Sequence, residues 1–91
     1  MQPKIGIGEY RKKDYQEILK LSEDRQDMNA TWEAWKKKRA EAINNFKKLG
    51  ITTIDILVTP EELVNYCREK GLKINGAARA EYVRYKVTQL N

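Results

Sequence analysis

Between Leu49 and Gly71 the chain has to end a helix, run a strand and begin a second helix, and each junction carries residues suited to the task. Gly50 can take the left-handed conformation that closes a helix without a Cβ penalty, and Lys47 and Lys48 put cations in the last turn, where the helix dipole favours them. Thr59 reads as an N-cap, Pro60 suits the first helical position, and Glu62 completes a capping box. In the intervening residues 51–58, Ile51, Thr53, Asp55 and Leu57 alternate with Thr52, Ile54, Ile56 and Val58. The β-branched content predicts a strand, and apolar residues on both of its faces call for cover on both.

The remaining elements are read from periodicity. Ile5-Gly6-Ile7-Gly8 alternates like a strand weakened by glycine, an edge partner for 51–58 within an N-terminal arm over residues 1–13. With no third glycine at the required spacing it is not a phosphate loop. Tyr15, Ile18, Leu19 and Ser22 share one face of a helix starting at Asp14. Residues 23–29 are polar and aperiodic, a connector with solvated carboxylates that lacks the glycine and terminal glutamate of a calcium loop. Thr31 caps the longest helix, about 32–49, whose stripe of Trp32, Trp35, Ala42, Phe46 and Leu49 is interrupted by Arg39. The next helix, 60–70, buries Leu63, Val64 and Cys67 and ends at Gly71; Asn75 caps the last, 76–89, with Ala77, Ala80, Val83, Val87 and Leu90 inward. The expectation is one α+β domain over residues 1–91, with two helices in 14–49, a strand at 51–58 and two helices in 60–89.

Composition removes several functions. The chain has no histidine, which takes away the commonest general base and transition-metal ligand, and a single cysteine, which excludes an internal disulfide and a cysteine-based zinc site. Cys67, late in its helix with nothing to activate it, reads as a small buried hydrophobe. Glu61 and Glu62 belong to a first helical turn that stabilises negative charge without catalysis, so they make no acid–base pair with Asp55. An enzyme is the least supported class, and no catalytic residue, metal or cofactor is assigned. No apolar run is long enough to span a bilayer and no signal-peptide core is present, so a cytoplasmic protein without a membrane partner is expected.

Two functional readings remain. The strong strand must pair with the N-terminal strand or with its own copy; antiparallel self-pairing would bury Ile54 and Ile56. The leading expectation is therefore a non-enzymatic interaction or homo-oligomerisation module, a homodimer with Trp32, Trp35 and Arg39 packed over the paired strands, or one binding an unidentified protein. The alternative is nucleic-acid binding. The net charge of +5 is concentrated in residues 29–50, with six basic and two acidic groups, and 75–91, with three and one. Segment 60–89 has the pattern of a helix-turn-helix in which Asn75, Arg79, Tyr82 and Lys86 share an outer face able to reach phosphates or bases. The contiguous Lys36-Lys37-Lys38-Arg39 points around most of its helix and cannot line one groove.

Thr31-Trp32-Glu33-Ala34-Trp35, the lysine-rich helix to Gly50, the strand, Thr59-Pro60-Glu61-Glu62-Leu63, Cys67, Gly71 and Ala77-Ala78-Arg79-Ala80 together resemble a pattern of small bacterial α/β proteins of unknown function. The resemblance spans about residues 31–83 and implies a compact, bacterial, cytosolic protein. It carries no catalytic residues with it.

Overall fold

Helix boundaries follow the local signals. In a computed structural model, which describes residues 3–90, the order is β1 (Lys4–Glu9), α1 (Lys12–Leu21), a short 3₁₀ turn (Arg25–Asp27), α2 (Trp32–Lys48), β2 (Thr52–Leu57), α3 (Pro60–Lys70) and α4 (Gly76–Thr88). Thr31, Thr59 and Asn75 each accept a bond from the amide three residues on, at 3.1, 3.3 and 3.0 Å. Gly50 and Gly71 have φ of 76° and 67°, the left-handed region that glycine enters most readily. After each, the next residue's amide reaches back to close a Schellman motif, Ile51 to Phe46 and Leu72 to Cys67.

β1 and β2 pair in parallel, with Gly6 opposite Ile54 and Gly8 opposite Ile56. Paired residues share a face, so Ile54, Ile56 and Val58 lie on the glycine side, and Ile5, Ile7, Thr53 and Asp55 on the other. α4 covers the glycine side. A Cβ placed on Gly6 would stand 2.5 Å from Val87 Cγ2 and 2.9 Å from Val83 Cγ1, so the helix sits where only a bare backbone admits it. The glycines of β1 are thus a packing device. α2 covers the opposite side more loosely, and none of its residues is fully buried.

The core lies where α1, α3 and α4 meet the end of the sheet, with Tyr15, Ile18, Val58 and Leu63 at 0% exposure, together with Cys67, Tyr82 and Val83. β2 takes β1 as its partner, one of the two pairings the sequence allowed, and Ile56 is buried within the chain. Two expectations are corrected here. The carboxylates after α1 are not all solvated: Glu23 accepts from Asn75, and Asp24 accepts from the Gly76 amide and from Arg79. The inner face of α4 is carried by Ala78, Tyr82 and Val83, whereas Ala77 and Ala80 are exposed. That helix packs on the sheet and on α3 at once, which blurs a one-sided stripe.

Candidate functional site

Parallel pairing leaves alternate backbone groups of an edge strand unused. The Thr52 amide donates to the Pro3 carbonyl and the Val58 amide to Glu9, so the odd-numbered residues of β1 face β2. Lys4, Gly6 and Gly8 therefore turn their amides and carbonyls the other way, along the free edge. That edge is the floor of a groove of about 770 Å³ between α2 and α4.

Each wall is built by one helix. Trp35, Lys38, Arg39 and Ala42 come from α2, and Arg79, Ala80, Val83, Arg84 and Val87 from α4, with Lys4 at the open end. Tyr10 and Trp35 close the other end, their rings 4.8 Å apart, and Tyr15 packs 5.8 Å from both. Trp32 anchors the start of α2 by donating its Nε1 hydrogen to the Tyr10 carbonyl at 2.8 Å. Arg39 Nε donates to the Gly8 carbonyl at 2.9 Å, and its guanidinium pairs with Asp55. One position of the edge is thus already capped from within.

Five cations and no acid line the groove. Arg39 and Arg79 are neutralised by Asp55 and Asp24. Lys4, Lys38 and Arg84 are exposed and have no ion-pair partner among the described residues. The free positive charge therefore sits on the rim, with apolar and small side chains beneath it.

The residues expected to touch nucleic acid do not form an outer face. Asn75 is the α4 cap and donates to Glu23, Arg79 is 12% exposed and bound to Asp24, Tyr82 is buried and donates to Glu62, and Lys86 stands 3.7 Å from the same carboxylate. Of the expected dimer contacts, Trp35 and Arg39 enter the groove wall, Trp32 lies beside it, and Ile54 and Ile56 serve the interior. Lys4, Lys38 and Arg84 escaped sequence reading because what gathers them is the crossover between distant elements. Burial raises the pKa of the Cys67 thiol and of the Tyr10 and Tyr15 hydroxyls, leaving them protonated at neutral pH. Among the described residues, no three acidic or cysteine side chains are grouped to hold a metal, and no helix is long and apolar enough to cross a membrane.

No protein-family model, curated protein or solved structure matches this chain.

Proposed function

We propose that the protein is a non-enzymatic interaction module whose working surface is the α2/α4 groove, where a segment of a partner adds to β1 as a further strand. The observation that carries this reading is the free edge of β1, whose Lys4 and Gly6 backbone groups open into a groove of about 770 Å³ walled by two helices. An exposed strand edge is a template for another strand, and most proteins block theirs with charge, proline or a covering element. Here Arg39 occupies the Gly8 carbonyl, and Lys4 and Gly6 line the groove beyond it.

The test is site-specific photo-crosslinking in cells, with benzoylphenylalanine at Ala42 or Ala80 in the groove and at the exposed Asn65 on α3 as control. One partner segment captured from both groove positions, and not from Asn65, is the expected result. Lys4→Pro removes an outward amide without touching the β1–β2 ladder and should abolish capture, whereas Lys4→Gln should retain it. Equal capture at all three positions would overturn the proposal.

Nucleic-acid binding is the competing reading, favoured by the exposed Lys4, Lys38 and Arg84 on the rim. A labelled DNA duplex titrated at about 50 and 200 mM salt separates the two, because contacts to several phosphates weaken by orders of magnitude over that range.

A further inference from the structure

Resting on the strand-addition reading, we infer that the occupant of the groove is an extended acidic peptide segment, its carboxylates held by Lys4, Lys38 and Arg84. These three cations flank the open edge, no acid lines the groove with them and none of the three is ion-paired among the described residues, while the two arginines deeper in the groove are already paired. A peptide lying along β1 points alternate side chains toward α2 and α4. Ala42 on one wall and Ala80 on the other leave room for those side chains, and Lys38 and Arg84 are each one helical turn away from the alanine on their own wall. A second copy is a poor occupant. Two β1 edges placed together would set the same uncompensated cations against each other, and like charges across an interface are strongly disfavoured.

The test selects a random 12-residue peptide library on the full chain, with counter-selection on Lys4→Pro. The expected result is enrichment of extended sequences with Asp or Glu at alternate positions. Synthetic versions should lose about tenfold in affinity to Lys38→Glu/Arg84→Glu and less to the corresponding double glutamine variant. Reselection on the charge-reversed variant should favour Lys and Arg. Enriched peptides without acidic bias, or with a preference unchanged by charge reversal, would overturn the acidic occupant while leaving strand addition standing. Failure of any peptide to distinguish Lys4→Gln from Lys4→Pro, which both lack the charge and differ in the outward amide, would overturn strand addition itself. An oligo-dT 12-mer that binds the native chain, fails on the charge-reversed variant and binds Lys4→Gln and Lys4→Pro equally would assign the cations to nucleic acid and overturn the inference.

Discussion

Arg79 and Asp24 form a two-pronged ion pair, Nη1 to Oδ1 at 3.0 Å and Nη2 to Oδ2 at 2.8 Å, that joins α4 to the turn after α1 across 55 residues of sequence. The same guanidinium bonds Ser22 Oγ, and the same carboxylate accepts the Gly76 amide, so one pair fixes the entry of α4. The side chains are only 12% and 24% exposed, so removing either partner leaves a poorly solvated charge. Asp24→Ala should cost about 2–4 kcal/mol in urea unfolding, and Asp24→Ala/Arg79→Met should recover part of the loss. Additive losses would mean that the two groups act independently.

Acid should act through the same pair. The hydrogen bond from Arg79 holds the Asp24 carboxyl below its ordinary value of 3.8. A lowered folded-state pKa contributes stability that is complete above the unfolded value and disappears as pH falls through the folded one. The urea midpoint should therefore drop below about pH 4, and Asp24→Asn should show a shallower drop. Parallel profiles would remove Asp24 from the acid transition.

At the alkaline end, the Tyr66 hydroxyl donates to Glu81 at 2.7 Å, and that bond, with burial behind it, pushes its pKa up to about 12. Burial and a hydrogen bond to Glu62 raise Tyr82 as well. An acid whose folded pKa is raised gives full stability below the unfolded value near 10 and loses it as pH rises toward the folded one. Tyrosinate absorbance should lag behind the free amino acid and rise together with loss of helical circular dichroism. Tyr66→Phe should flatten the alkaline fall in stability; an unchanged profile would count against the Tyr66–Glu81 bond.

Gly6→Ala tests the packing of α4 on the sheet. Its new methyl meets two stiff β-branched side chains at 2.5 and 2.9 Å, and should cost about 1–3 kcal/mol in thermal or urea unfolding. Gly8→Ala, whose nearest contact is 3.4 Å, should cost less. Adding Val87→Ala to Gly6→Ala should relieve the clash, and a strictly additive double variant would argue against it.

These sites show which parts of the fold were readable in advance. α3 was legible because Thr59, Pro60, Glu62 and Gly71 act on their immediate neighbours, and the strand over 51–58 because β-branching and alternation are local too. Gly6 and Gly8 read only as weak points, since the Val83 and Val87 that use their bareness lie near the far end of the chain. Arg79 and Tyr82 looked outward for the same reason: Asp24 and Glu62, which draw them in, are invisible to helical periodicity. The groove belongs to neither helix alone. Lys38 and Arg84 become neighbours of one edge only after the parallel crossover has placed α2, and the chain beyond β2 and α3 has placed α4, on opposite sides of it.

That crossover also sets a timetable for synthesis. β1 is made first, yet the residue opposite Lys4 is Thr52, and the valines that seat against Gly6 belong to the last helix. On the ribosome, Ile5 and Ile7 must wait through α1 and α2 for a strand to pair with, and through α3 for the helix that closes the sheet. β1 therefore leaves the ribosome before every element that packs against it and is secured only once β2 and α4 have followed.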